Sequence, residues 1–270
     1  MEIIREAAEL LIRIKENKPL IHHITNYVTM NDSANVVLAV GGSPIMANDP
    51  SEVIEVAAKA KALVLNIGTP NSNNFRSMLL AGKKAKEMKI PIVFDPVGAG
   101  ATSFRREMCG KLLEDIEPTV IKGNISEIMY LASIDCCSCG VDSFWDVDNS
   151  TEIVQGLAKN LSCVVAATGR IDIVSNGSTT YTINNGHEML SKITGTGCMT
   201  SSLIGAFCSV TTDYLTGTVA GVMTMGIAGQ LAFDSLLPNE GIGTFKVRLF
   251  DNIYNMNKDT FIREGVAHVE

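Results

Sequence analysis

The chain has 270 residues, 46% of them apolar, with 29 acidic against 22 basic side chains and a formal charge of −7. That length and apolar content suit one α/β domain over residues 1–270 with an extensive core. An acidic balance without any Lys/Arg run argues against a nucleic-acid partner, while a cradle of backbone N–H groups would still accept an anionic small molecule.

In chain order, Ala7, Leu10, Leu11 and Ile14 recur at helical spacing beside Glu2 and Glu6, which predicts a helix and no signal peptide. Seven cysteines, an odd number, are then expected as reduced thiols in a cytoplasmic protein. Leu20 to Ile24 reads as a strand, and Met30 to Val40 as a helix stopped by Gly41-Gly42. A regular alternation follows: strand 62–68, helix 75–89, strand 91–96, helix 103–114, strand 119–122 and a helix from Ile125. Buried strands with intervening helices predict a parallel sheet covered on both faces, with ligands at the carboxyl ends of its strands.

Residues 133–150 read as a polar connection, and strands at 163–168, 172–175 and 179–183 are joined only by turns such as Gly169-Arg170 and Asn176-Gly177, which predicts antiparallel pairing. Helices dominate from Cys198 to the end, the clearest at 214–233 and 245–255. The apolar run Gly217 to Phe233 is short for a membrane span and contains Gln230, so it reads as a buried core helix.

The stretch Ile193-Thr194-Gly195-Thr196-Gly197-Cys198 carries the most chemistry. Two glycines lead into a helical pattern, where unpaired N–H groups and the helix dipole favour an anion. Cys198 stands where that dipole also favours its thiolate, whereas phosphates bound beside it oppose ionisation, so the net direction of its pKa is left open. The plainer reading is a tight loop entering a buried helix. Thr200 stands where a dinucleotide fingerprint needs a third small residue, and no Gly-Lys-Ser/Thr of a P-loop occurs.

Two further strand ends point the same way. Asp95, before Pro96-Val97-Gly98, places a carboxylate at the ligand edge, where it could bind metal. Lys122-Gly123-Asn124-x-x-Glu127 adds a cation and a second carboxylate, with a helix-capping box as the structural alternative. Anion donors, a lysine and two carboxylates are the components of phosphoryl transfer to an alcohol. Cys136-Cys137-x-Cys139 lacks zinc spacing and reads as loop thiols. His22 and His23, adjacent on a strand, point to opposite faces and are assigned structural roles.

These segments, with Ile24-Thr25-Asn26-Tyr27-Val28-Thr29-Met30-Asn31, Gly41-Gly42-Ser43-Pro44-Ile45-Met46-Ala47, Leu65-Asn66-Ile67-Gly68-Thr69 and Ala167-Thr168-Gly169, resemble in order the hydroxyethylthiazole kinases of the ribokinase-like superfamily. The resemblance implies a three-layer α/β/α fold with a mainly parallel central sheet and antiparallel edge strands. It also implies transfer of the γ-phosphoryl of ATP, with Mg²⁺, to the hydroxyl of 4-methyl-5-(2-hydroxyethyl)thiazole in thiamin salvage. By the same resemblance Lys122 and Thr168 contact ATP, Glu127 and Asp95 organise Mg²⁺, and Asn26, Met46 and Gly195 surround the thiazole. Cys198 becomes the catalytic base, where sugar kinases of the superfamily carry Asp. Lys122 stands where many thiazole kinases have Arg, so a bidentate phosphate contact is not implied. The resemblance further implies a homotrimer with active sites at subunit interfaces, Gly68-Thr69 bordering a neighbour's pocket. The rival readings are a hydroxymethylpyrimidine or pyridoxal kinase of the same fold, and a non-catalytic nucleotide sensor.

Overall fold

The computed structural model describes residues 2–137 and 150–270. Its frame is a nine-stranded sheet. The strands are β1 (Leu20–Ile24), β2 (Ser43–Met46), β3 (Ala62–Asn66), β4 (Ile92–Asp95), β5 (Val120–Asn124), β6 (Val164–Thr168), β7 (Asp172–Ser175), β8 (Thr180–Ile183) and β9 (Ala267–Val269). They lie in the order β2-β1-β3-β4-β5-β6-β7-β8-β9. Pairing is parallel from β2 through β6 and antiparallel from β6 onward, as the change in connection length predicts.

Side-chain alternation divides the core into two layers. Ile21, Ala62, Val64, Val93, Val120 and Val164 face one cluster, built with α1 (Glu2–Asn17), α2 (Met30–Val40), α8 (Thr196–Cys208), α9 (Tyr214–Asp234), α10 (Ile242–Asn255) and α11 (Lys258–Glu264). Leu63, Leu65, Ile92, Phe94, Ile121 and Val165 face the other, built with α3 (Val53–Lys59), α4 (Ser72–Glu87), α5 (Ser103–Ile116), α6 (Ile125–Cys137) and α7 (Ser150–Leu161). The helix α9 is long and apolar enough to cross a membrane by length and composition, yet most of it is buried in the first layer. It approaches α8 closely because Gly221 has no side chain: a Cβ there would sit 2.7 Å from the Ile204 backbone. Gly205 does the same for α8 on the sheet, where a Cβ would meet Val64 at 2.7 Å.

Several boundaries differ from the sequence expectations for identifiable reasons. The strand β2 was not expected after Gly41-Gly42 and with Pro44, but it is the sheet's edge, where a missing N–H is tolerated. At seven residues α3 is too short to show periodicity, and the three-residue β9 pairs with β8 inside a stretch expected to be helical. Asn71 accepts the Asn74 N–H at 2.9 Å and so starts α4 at Ser72 rather than Phe75. Likewise α6 continues to Cys137, into the connection expected from Ser133; the rest of that connection, with Cys139, and the side chains of Cys136 and Cys137 lie outside the described residues.

His22 and His23 do point to opposite faces. His22 Nε2 contacts the Ala47 carbonyl at 2.8 Å, while His23 lies under α8, with Nε2 3.1 Å from Ser202 Oγ and Nδ1 3.1 Å from the Ile21 carbonyl. Burial lowers the His23 pKa to about 4. Its unfolded pKa is near 6.5, so the unfolded chain binds this proton first, and the stability held by neutral His23 above pH 6.5 is lost as pH falls toward 4. The expected loss is about 3 kcal/mol by pH 4. Urea unfolding at pH 7.5 and pH 5 should therefore show a steeper acid loss in the parent than in His23→Gln. Equal losses in the two proteins would contradict this account.

Candidate functional site

A cavity of about 1100 Å³ opens at the carboxyl ends of β1, β3, β4, β5 and β6, against the start of α8. Sheet periodicity explains which side chains reach it. Val64, Val93, Val120 and Ala166 face the α8 layer, so two residues further on Asn66, Asp95, Lys122 and Thr168 face it too. Asn66 and Asp95 are register partners, which sets their side chains beside one another.

Gly195 caps α8 with φ +92°, a left-handed conformation, and a Cβ there would fall 2.5 Å from Thr29 Cγ2. The helix begins at Thr196, earlier than expected, so Cys198 lies in its first turn, where N–H groups have no intrahelical partner. Gly197 is less confined: a Cβ there would meet only the end of the Lys122 side chain, at 3.0 Å.

Around Cys198 the polar groups form one connected network. Its Sγ lies 3.3 Å from Asn26 Nδ2 and 3.2 Å from Asn66 Nδ2. Asn66 also donates to Asp95 Oδ2 at 2.8 Å, and Ser201 Oγ donates to the same oxygen at 2.7 Å. Asn66 Oδ1 accepts from Gly68 N and from Asn26 Nδ2, and Asn26 Oδ1 accepts from the N–H and hydroxyl of Thr29. Burial pushes the Asp95 carboxyl up, with Glu127 adding to this and Lys122, Ser201 and Asn66 opposing it. Burial likewise pushes the Cys198 thiol up, aided by Asp95 and opposed by Thr29, Lys122 and Asn26. Desolvation, the largest of these influences, works against the thiolate.

Lys122 is 3% exposed and its Nζ donates to the Gly197 carbonyl at 3.1 Å. Among the described residues no carboxylate lies within ion-pair distance of it. Glu127 does form the capping box, its N–H on Asn124 Oδ1 and its Oε2 accepting from Asn124 N, but Oε1 also accepts from Gly98 N on the next strand-end loop. Thr168 Oγ1 donates to the Gly123 carbonyl, and Asp172, which burial raises to about 6, accepts the Gly169 N–H.

The cavity thus brings together Asn26, Asp95, Lys122, Glu127, Thr168, Gly195 and Cys198. Met46 is not among its walls: it ends the edge strand β2, half-buried beside His23. Sequence reasoning quoted Asn66 and Thr29 only as parts of motifs, and missed Ser201, one helical turn after Gly197. It also missed the far, more apolar end, where Leu190, Val222, Met225 and Gly226 line the wall and His187 stacks on Phe233 with ring centroids 3.4 Å apart. Of these, the i+4 spacing of Gly197 and Ser201 was the one readable signal.

A model of the hydroxyethylthiazole kinase family matches residues 11–259. The chain is 49% identical to a hydroxyethylthiazole kinase of Alkaliphilus metalliredigens, over 98% of both chains. It superposes on a solved hydroxyethylthiazole kinase structure from Pyrococcus horikoshii with TM-score 0.90 and 38% identity, covering all of both chains. A pyridoxal kinase of Bacillus subtilis shares the fold at 15% identity and TM-score 0.54, covering 82% of this chain and 94% of its own.

The geometry at Gly195 generates a test of how the site is held. Gly195→Ala faces a left-handed φ and the Thr29 methyl together, and should cost about 1–3 kcal/mol, or several degrees in Tm. Thr29→Ser keeps the hydroxyl and removes that methyl, so the double variant should recover part of the loss. Strict additivity in calorimetry would show that the two residues do not clash.

Proposed function

The chain belongs to the hydroxyethylthiazole kinase family and is a kinase, and from that premise we propose that it transfers the γ-phosphoryl of ATP, with Mg²⁺, to the hydroxyl of 4-methyl-5-(2-hydroxyethyl)thiazole. The reading includes a place in thiamin salvage, a cytoplasmic location and one domain over residues 1–270. The observation that carries it is the buried ammonium of Lys122, which among the described residues has no carboxylate within ion-pair distance and is tied to Gly197, one residue from the Cys198 thiol. A lysine without an ion-pair partner at a helix start is an anion site, and a polarisable acceptor for a proton stands next to it.

Phosphates are assigned to the start of α8 with Lys122 and Thr168, and the nucleoside to the end walled by Leu190, Val222, Met225 and the His187–Phe233 stack. The thiazole is assigned to the end at Asn26, Val28 and Gly195. Val28 and Tyr27 are exposed there, so this end needs cover. A homotrimer supplies it: the edge strand at Met46 borders the neighbouring pocket, which accounts for the place of Met46 outside its own chain's cavity, whereas Gly68, which the resemblance gives to a neighbour's pocket, lines the cavity of its own chain.

The donor set fits Mg²⁺. Among the described residues no cluster of three His, Cys, Asp or Glu side chains forms an all-protein cage, and Mg²⁺ in kinases is held by one or two carboxylates, phosphates and water. Glu127 lines the cavity and would hold the ion, with Asp95 as the buried negative charge behind it. The ion supplies charge neutralisation at the transferring phosphoryl group.

Lys122 attracts the phosphates, and α8 N–H groups stabilise charge as it develops. Cys198 takes the proton of the attacking hydroxyl. Only the thiolate can take that proton, and a small thiolate fraction suffices, because the loose transition state needs little early deprotonation and positioning supplies most of the acceleration.

In a panel of alcohols, hydroxyethylthiazole should support Mg²⁺-dependent ADP formation far better than hydroxymethylpyrimidine or pyridoxal. Cys198→Ala should lower kcat by about tenfold or more without abolishing it, and Cys198→Asp should keep activity. Mass detection of the phosphorylated product checks the assignment. Equal rates across the panel would overturn the substrate, and an unchanged kcat in the alanine variant would remove Cys198 from the reaction.

A further inference from the structure

Asn66 is 2% exposed and makes contacts that fix its amide in one orientation. Its Oδ1 receives the Gly68 N–H at 2.8 Å and Asn26 Nδ2 at 2.9 Å. Turning the amide over would set Nδ2 against those two donors and Oδ1 against the Asp95 carboxylate, which already receives Ser201. Nδ2 therefore points to Asp95 and Cys198, and its two protons have one acceptor each: Asp95 Oδ2 at 2.8 Å and the sulfur at 3.2 Å. Asn26 is fixed in the same way, because Thr29 occupies its Oδ1 and leaves Nδ2 for Asn66 and Cys198.

The sulfur thus receives two amide N–H groups, one from β3 and one from the segment after β1. We infer that Asn66 is a positioning residue for the Cys198 sulfur, holding it as a hydrogen-bond acceptor with Asp95 as the anchor. This rests on the reading of Cys198 as the base of that site. The charged groups facing the sulfur are Asp95 from β4 and Lys122 from β5. Neither supplies a donor to the sulfur within hydrogen-bond distance; the two amides do, with the Thr29 hydroxyl as a further neighbour that favours the thiolate.

The test is Asn66→Thr, with Asn66→Asp as the second variant, which keeps the shape but, 2.8 Å from the Asp95 carboxylate, shares one proton with it and offers none to the sulfur. Threonine suits a strand, offers one hydroxyl to Asp95 and has no second proton for the sulfur. Circular dichroism establishes which variants fold. Two quantities are then read: the rate constant for alkylation of Cys198 by iodoacetamide at pH 8, followed on its own peptide by mass spectrometry, and kcat and KM for the thiazole substrate. A folded variant should lose about fivefold or more in the alkylation constant and about tenfold or more in kcat, with KM within threefold. Alkylation within twofold of the parent would overturn the inference, whatever kcat does, because a merely structural role lowers kcat without touching the sulfur. The alkylation constant needs no turnover, so it stands even if the parent phosphorylates none of the alcohols in the panel and the substrate reading fails.

Discussion

The constraint on which the rest depends is the burial of one carboxylate, one ammonium and one thiol at the same sheet edge. Asp95 and Lys122 are almost fully buried and Cys198 partly so, and unpaired buried charges cost several kcal/mol each. The structure meets this with side-chain amides and hydroxyls: Asn66 and Ser201 on Asp95, Asn26 and Asn66 on Cys198, and the Gly197 carbonyl on Lys122. Among the described residues no carboxylate lies within ion-pair distance of Lys122, and this leaves a local positive charge in a protein that is acidic overall.

That arrangement requires α8 to sit close to the strands. Gly205 against Val64, Gly221 against Ile204 and Gly195 against Thr29 are three points where a Cβ would push the helix off its seat. The phosphate-binding start of the helix and its packing on the sheet are therefore one structural problem. Thr200, Ser201 and Ser202 contact carbonyls four residues back along the same helix, while Ser201 also reaches Asp95 and Ser202 reaches His23. A helix so rich in small and hydroxylic residues can lie flat on the strand ends and still satisfy the groups it buries.

Much of this was legible in the sequence because it follows from short periods. Alternation along Leu63-Val64-Leu65-Asn66 and Val93-Phe94-Asp95 gives strands with a polar residue at the ligand edge, and the glycines before Cys198 mark a helix start. Connection length separated the parallel from the antiparallel part of the sheet. The less legible features join distant segments. Nothing near Asn66 in sequence says that its amide meets Cys198, 132 residues away, and the His187–Phe233 wall joins a short loop to the end of α9. Met46 was legible only by resemblance, and within one chain it stays on the edge strand, apart from the cavity. The direction of the Cys198 pKa was likewise closed to sequence, because it depends on how deeply the first turn of α8 is buried.

The central claim is that one cavity holds both reactants, with Lys122 and Cys198 on either side of the transferred group. A crystal structure with hydroxyethylthiazole and a non-hydrolysable ATP analogue tests it most directly. The account predicts the γ-phosphate at Lys122 and the start of α8, the base toward the His187–Phe233 stack, and the substrate hydroxyl about 3–3.5 Å from the γ-phosphorus and within hydrogen-bond reach of the Cys198 sulfur. A nucleotide bound elsewhere, or a thiazole hydroxyl directed away from Cys198 and the γ-phosphate, would contradict it.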